Sequence, residues 1–90
     1  MKTPIILIIE DDNAFNNMLT HFLKRNNYQV FQAFSAKEGV VLLEKHAIDI
    51  IISDLMMPKL DGNKLIDQVK SNEQFAHIPI IILSAKDQLN

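Results

Sequence analysis

Three short runs of the 90-residue sequence are apolar at nearly every position and rich in isoleucine. They are Ile5–Ile9 (IILII), residues 48–52 (IDIII) and residues 78–83 (IPIIIL). Each run is too short for a buried helix and far below the roughly 20 residues that a membrane-spanning helix needs. Strands that are apolar throughout are buried on both faces, which is typical of a parallel sheet covered by helices. The runs therefore predict an α/β protein.

The residues that directly follow the first apolar run repeat with the period of a helix. Apolar side chains recur three or four residues apart, so we expect an amphipathic helix over residues of about 13 to 26. Asp12 or Asn13 is expected to cap its first turn. The apolar stripe of this helix consists of Phe15, Met18, Leu19, Phe22 and Leu23.

The rest of the chain continues to alternate strands with helices. Residues 28–34 carry polar side chains among apolar ones, as an edge strand does. Residues 35–38 (SAKE) match a capping box at the start of a second helix, in which Gly39 is a mild weakness. A third, shorter helix follows residues 61–62. The predicted order is β-α-β-α-β-α-β, a doubly wound parallel sheet that binds ligands at the carboxyl ends of its strands.

Polar side chains stand where the predicted strands end. Residues 10–12 (EDD) follow the first strand, Asp54 ends the third, and Ser84 follows the fourth. At least three carboxylates converge at one edge of such a sheet, and this is costly unless a cation lies among them. Mg²⁺ fits, because it binds through a few carboxylates while keeping waters and phosphate oxygens. With a carboxylate as nucleophile and a hydroxyl donor beside it, the cluster suits phosphoryl transfer.

Each acid also has a plainer interpretation when it is taken alone. Asp12 is interpreted as the cap of the first helix, which also adds negative field near the metal. Asp61 is interpreted as part of a turn before Gly62. Asp49 and Asp67 are interpreted as ordinary surface charges. The joint placement of acids at two strand ends, with a hydroxyl at a third, is what favours a functional site.

Three motifs together resemble the response regulator receiver domains over essentially the whole chain. They are residues 5–12 (IILIIEDD), residues 52–58 (ISDLMMP) with Asp-Gly at 61–62, and residues 79–86 (PIIILSAK). The resemblance implies a flavodoxin-like receiver fold with strand order 2-1-3-4 that lacks its last strand and helices. Residues 1–90 are then expected to form one receiver domain that is incomplete at its C-terminus, either a fragment of a longer regulator, which we favour, or a natural short variant.

The resemblance also implies roles for individual residues. Asp54 matches the phosphoacceptor, and Ser84 matches the residue whose hydroxyl contacts the phosphoryl group. Asp11 matches a direct Mg²⁺ ligand, Glu10 a ligand that acts through water, and Met56 a residue that lends the metal its backbone carbonyl. The implied donor is the phosphohistidine of a sensor histidine kinase or of a phosphotransfer domain. The domain is then a switch for a downstream output and not an enzyme.

Composition narrows the expected partners and location. The formal net charge is −2 and the basic residues are scattered, so direct binding of nucleic acid is not expected. The chain has no cysteine, which is compatible with a reducing cytoplasm. No signal peptide or membrane segment is predicted.

Alternative functions remain open. The first is a receiver-like interaction or dimerisation module that is not phosphorylated. The strand at residues 78–83 is predicted to expose an apolar edge, which favours pairing or exchange of elements with a second copy of the chain. Lys86 is expected to be exposed and not to replace the phosphate-binding lysine of the family, which follows a later strand. A phosphatase is disfavoured, because Met56 stands where such enzymes carry a second aspartate, two residues after the nucleophile.

Overall fold

The computed structural model describes residues 3–54 and 62–83, with only the backbone described at residues 54 and 62–66. Strands and helices alternate along this part of the chain, as predicted. None of the described helices has the length and apolar content that crossing a bilayer requires. The elements are β1 (Ile5–Ile9), α1 (Asn13–Arg25), β2 (Gln29–Ala33), α2 (Ala36–Lys45), β3 (Ile50–Asp54), α3 (Gly62–Ser71) and β4 (Ile80–Leu83).

The four strands form one parallel sheet in the order β2-β1-β3-β4. The predicted α/β class, the strand order and the edge position of β2 are confirmed. The strands β3 and β4 begin two residues later than their apolar runs, at Ile50 and Ile80. Ile48 and Ile78 are nevertheless buried, in the loops that precede these strands. The second and third apolar runs thus mark buried residues, and the strands begin only at the third residue of each run.

Helices α2 and α3 cover one face of the sheet, which we call the α2 face. A large apolar cluster fills the space between this face and the two helices. Its central strand residues Leu7, Ile9 and Ile51 have no exposed surface. Among the described residues the cluster comprises Leu7, Ile9, Ala33, Ala36, Leu43, Ile48, Ile51, Val69, Phe75 and Ile78.

Helix α1 lies against the opposite face of the sheet, which we call the α1 face. The buried apolar cluster here is smaller within the described part of the chain. Leu19 and Leu23 of α1 are partly buried against it. Its buried members are Ile6, Ile8, Val30 and Ile52.

The apolar stripe of α1 does not coincide with the buried side of the helix. Met18 is 59% exposed and Phe22 is 61% exposed, although both belong to the stripe. The buried side chains of α1 are instead Asn16 and Thr20. The predicted amphipathic helix is confirmed. Its buried side differs from the predicted apolar stripe, however, and it places the Asn16 amide against the ends of the strands.

Side chains cap the first turns of α1 and α2. The Asp12 carboxylate accepts a hydrogen bond from the Phe15 amide (3.0 Å), which confirms Asp12 as the cap. The Ser35 hydroxyl accepts from the Glu38 amide (3.2 Å). In return the Glu38 carboxylate accepts from the amide of Phe34 (3.0 Å), one residue before the amide that a capping box uses. The predicted box is therefore correct for Ser35 and shifted by one residue for Glu38.

Gly39 lies where α2 passes close to β1. A Cβ atom at this position would lie 2.5 Å from Cδ1 and 2.9 Å from Cγ1 of Ile9, closer than carbon atoms pack. The glycine that weakens α2 as a helix therefore allows the helix to approach the centre of the sheet.

Candidate functional site

The carboxyl ends of β1 and β3 lie side by side at one edge of the sheet. Ile9, the last residue of β1, pairs with Ser53. The next residues in the two strands are Glu10 and Asp54. On the other side of β3, Asp54 pairs with Leu83, the last residue of β4. The backbone thus brings the predicted acidic pair, the predicted phosphoacceptor and the end of β4 to the same edge.

Residues 10–12, which we call the acidic loop, connect β1 to α1. Glu10 is only 1% exposed, whereas Asp11 is partly exposed and Asp12 is exposed. The Oε2 atom of Glu10 accepts a hydrogen bond from the Asp12 amide (2.8 Å). A buried carboxylate requires such donors or a cation to offset the loss of hydration. The loop therefore supplies one donor to the carboxylate that, by the family resemblance, is expected to act on the metal through water.

The side chain of Asn16 is fully buried beneath the acidic loop. Its Nδ2 atom donates to the backbone carbonyls of Glu10 (3.0 Å) and Ala33 (3.0 Å). Its Oδ1 atom accepts from the Thr20 hydroxyl (3.2 Å) and from Nε2 of Gln32 (2.9 Å). The amide of Asn16 therefore joins β1, β2 and α1 at the edge of the sheet that carries the acids.

Two further hydrogen bonds surround this amide. The Ala33 carbonyl also accepts from the Glu10 amide (3.0 Å), so two donors converge on one oxygen. Nε2 of Gln32 also donates to Oδ1 of the exposed Asn17 (2.8 Å). Asn16 was not predicted from the sequence. Its signal is the polar pair Asn16 and Thr20, four residues apart on one side of the amphipathic helix that follows the acids.

Ser53 precedes the predicted phosphoacceptor and is 1% exposed. Within the described part of the chain, its hydroxyl makes no hydrogen bond. Its neighbours in the sheet are Ile9 and Ile82. A buried hydroxyl without a partner destabilises a fold by about 1–3 kcal/mol.

Several predicted residues of the site lie outside the described residues. These are Met56, Asp61, Ser84 and Lys86, and only the backbone of Asp54 is described. Within residues 3–54 and 62–83, the described side chains contain no group of three acids, histidines or cysteines that could hold a metal ion. Because the predicted metal set takes its third carboxylate from Asp54, it stays a prediction.

Comparisons with known proteins agree with this architecture. The family model of the response regulator receiver domain matches residues 6–90. Hybrid signal transduction histidine kinase D of Dictyostelium discoideum is 37% identical over 87 residues, which are 97% of this chain and 6% of that protein. Two-component response regulator ORR8 of Oryza sativa subsp. indica is 30% identical over 86 residues, which are 94% of this chain and 71% of that protein.

Solved structures have the same fold. The chemotaxis response regulator CheY4 of Vibrio cholerae superposes with a TM-score of 0.84 at 26% identity, covering 97% of this chain and 77% of that one. The signal receiver domain of a histidine kinase from Syntrophus aciditrophicus gives 0.83 at 34% identity, covering 90% and 61%. The chain spans only a part of several curated relatives, such as 34% of the transcriptional regulatory protein YcbL of Bacillus subtilis.

Proposed function

The chain belongs to the response regulator receiver domains of two-component signalling, and we propose that it accepts a phosphoryl group on the Asp54 carboxylate. The observation that carries this proposal is the parallel pairing of β1 with β3, which sets the end of β3 beside the acidic loop. An aspartate carboxylate is a competent nucleophile for phosphoryl groups and forms an aspartyl phosphate.

The proposed donor is a phosphohistidine. A carboxylate oxygen of Asp54 forms a bond to phosphorus, the bond from phosphorus to the imidazole nitrogen breaks, and that nitrogen takes up a proton. Negative charge is spread over the phosphoryl oxygens during the transfer, and the Ser84 hydroxyl is proposed to donate a hydrogen bond to one of them. Relatives of this chain are a hybrid signal transduction histidine kinase and a sensor histidine kinase, which supports a kinase as the donor.

Mg²⁺ is the proposed cofactor. Asp11 and Asp54 are proposed to bind it directly, Glu10 through water, and Met56 through its backbone carbonyl. The described part of the site fits this ion, because a buried and a partly exposed carboxylate stand together at the strand end and hard cations select oxygen ligands. When bound, the ion neutralises negative charge on the phosphoryl group.

Phosphorylation is tested by incubating the chain with acetyl phosphate, with and without Mg²⁺, and by measuring the intact mass. We expect one added phosphoryl group in the presence of Mg²⁺ and none after chelation. Asp54→Asn is expected to abolish the addition, whereas the matched variant Asp67→Asn, at an exposed position on α3, is expected to retain it. Equal labelling of wild type and Asp54→Asn would contradict the assignment of the phosphoacceptor.

A second candidate function is a module that associates with a second copy of the chain without being phosphorylated. Two observations favour it. Within the described residues β4 pairs only with β3, and Ile81 of this strand is 49% exposed. An apolar edge with unpaired backbone groups is a template for another strand.

Self-association is tested by light scattering and sedimentation over a range of concentrations. We expect a concentration-dependent dimer that is weakened by Ile81→Lys, since a charge at the edge opposes pairing. Met18→Lys, at an exposed position on α1, is the control for added charge elsewhere. A monomer at all concentrations would remove this candidate and leave the phosphoacceptor proposal unaffected.

A further inference from the structure

The amide nitrogen of Asn16 holds two strand ends at once. It donates to the Glu10 carbonyl, which belongs to the acidic loop, and to the Ala33 carbonyl at the end of β2, both at 3.0 Å. The loop is therefore tied to a strand end that the sheet already fixes. The Glu10 amide also donates to the Ala33 carbonyl (3.0 Å), so Asn16 adds a second link, and this one couples the loop to helix α1.

The oxygen of the same amide is fixed from the opposite direction. It accepts from Thr20 on the next helical turn and from Gln32 on β2. A side-chain amide has two donor hydrogens and two acceptor lone pairs, and all four are used here. Because Asn16 has no exposed surface, bulk water does not compete for these bonds in the folded chain. The orientation of the amide is thus determined by its partners on three elements.

The bond to the Glu10 carbonyl determines how the acidic loop leaves the sheet. The peptide plane that contains this carbonyl also contains the nitrogen and the Cα atom of Asp11, so its orientation positions the backbone from which the Asp11 side chain extends. The Asp12 amide in turn donates to the Glu10 carboxylate. Asn16 therefore fixes the backbone from which both proposed metal carboxylates extend, although it is assigned to neither the metal nor the phosphoryl group.

We propose that Asn16 is a positioning residue that holds the acidic loop in the geometry that binds the divalent cation, an inference that rests on the proposed function. Groups that orient the ligands of a metal raise its affinity by about 10- to 100-fold. A purely structural role for Asn16 predicts a different result: lower stability with unchanged cation affinity in the molecules that remain folded.

Two neighbouring residues provide matched controls. Thr20→Val removes one hydrogen bond from the Asn16 oxygen and keeps both bonds from its nitrogen to the strand ends. Asn17→Leu changes the exposed asparagine that shares the Gln32 donor. The test variant Asn16→Leu has nearly the same shape as the wild type and removes all four bonds without adding charge.

The experiment combines three measurements on the 90-residue chain and its variants. Titration calorimetry gives the dissociation constant for Mg²⁺, and urea unfolding gives the free energy of unfolding. The rate of amide hydrogen exchange at Asp12 reports whether its bond to the Glu10 carboxylate is kept. In Asn16→Leu we expect the dissociation constant to rise about 10- to 100-fold and exchange at Asp12 to accelerate. In Thr20→Val we expect a lower stability with both other measurements unchanged, and in Asn17→Leu all three are expected to match the wild type.

The inference is overturned if Asn16→Leu binds Mg²⁺ as tightly as Thr20→Val and protects the Asp12 amide equally well. If Asn16→Leu does not fold, Asn16→Ala is measured in the same way and decides by the same criteria. If the wild type binds no Mg²⁺, the proposed cofactor fails. Exchange at Asp12 then decides separately whether Asn16 holds the loop, since that measurement requires no metal.

Discussion

Within the described residues, ten buried apolar residues fill the space between the sheet and helices α2 and α3, whereas four lie under α1. On the α2 face the helix approaches so closely that Gly39 has no room for a Cβ atom. On the α1 face the helix instead buries Asn16 and Thr20, which hydrogen-bond to each other, and Asn16 also donates to the carbonyls of Glu10 and Ala33.

The two faces therefore contribute differently to the molecule. Each buried methylene contributes about 0.8 kcal/mol, while a hydrogen bond contributes a net stabilisation of about 1 kcal/mol and is directional. Among the described residues, apolar packing on the α2 face supplies most of the buried apolar contacts. The hydrogen bonds on the α1 face add less free energy, but they fix the direction of the acidic loop. Stability and the geometry of the site are thus encoded largely on opposite sides of the same sheet.

The largest expected effect is the loss of an apolar side chain from the α2 face. Leu7 has no exposed surface, so Leu7→Ala leaves a cavity and is expected to lower the free energy of unfolding by about 2–5 kcal/mol. The control is Phe22→Ala on α1, which changes a largely exposed side chain and is expected to cost less than about 0.5 kcal/mol. Urea unfolding of both variants measures the difference, and equal losses would break the contrast between the faces.

A smaller loss is expected where α2 approaches β1. Gly39→Ala improves helix propensity by up to about 1 kcal/mol, yet the new Cβ displaces the buried side chain of Ile9. Overpacking of this kind costs about 1–3 kcal/mol, so we expect a net loss of stability. Val41→Ala on the exposed side of the same helix is the control and is expected to be neutral or stabilising. Thermal unfolding that shows Gly39→Ala to be more stable than wild type would mean that this face is packed less closely than described.

The helix caps are expected to be equivalent on the two faces. Asp12→Ala and Ser35→Ala each remove an acceptor from the first helical turn and are expected to cost about 1 kcal/mol in urea unfolding. Asp12→Asn retains the cap but removes the charge, and is expected to keep the stability of the wild type. A reduced Mg²⁺ affinity in Asp12→Asn would sharpen the comparison, by showing that this cap also contributes negative field to the site.

The smallest effect, and the one with the opposite sign, is expected at Ser53. Its buried hydroxyl has no hydrogen-bond partner within the described residues, so Ser53→Ala is expected to be neutral or to stabilise the chain by up to about 1 kcal/mol. Thr20→Val removes a hydroxyl that donates to Asn16 and is expected to destabilise by about 1 kcal/mol. A loss of stability in Ser53→Ala would show that the α2 face, where Ser53 lies beside Ile9, also depends on a polar contact.

The sequence predicted the parts of this fold that depend on local pattern. The first apolar run is β1 residue for residue, and Asp12 caps α1 as its position suggests. The starts of β3 and β4 were placed too early, because Ile48 and Ile78 are buried without being paired. Hydrophobicity reports the loss of solvent, and it does not distinguish a strand residue from a loop residue that packs beneath a helix.

Contacts between distant residues were beyond the reach of local pattern. Asp49 was interpreted as an ordinary surface charge, yet its carboxylate accepts from the amide of Ile5 (2.8 Å), 44 residues away, at the start of β1. Asn16 has its distant partners on β2 and in the acidic loop. The resemblance to a family assigned the residues proposed for the chemistry, and it gave no reason to select the buried amide beneath the acidic loop.

The shared acceptor at Ala33 has a consequence for protein engineering. Its carbonyl accepts hydrogen bonds from the Glu10 backbone amide and from Nδ2 of Asn16. The neighbouring Gln32 donates to Oδ1 of the same Asn16 side chain. A chimaera that grafts α1 of this chain onto the sheet of another receiver therefore separates Asn16 from the β2 residues that orient it. Grafts should transfer Gln32 together with the helix, and in families of related chains these two positions should change together.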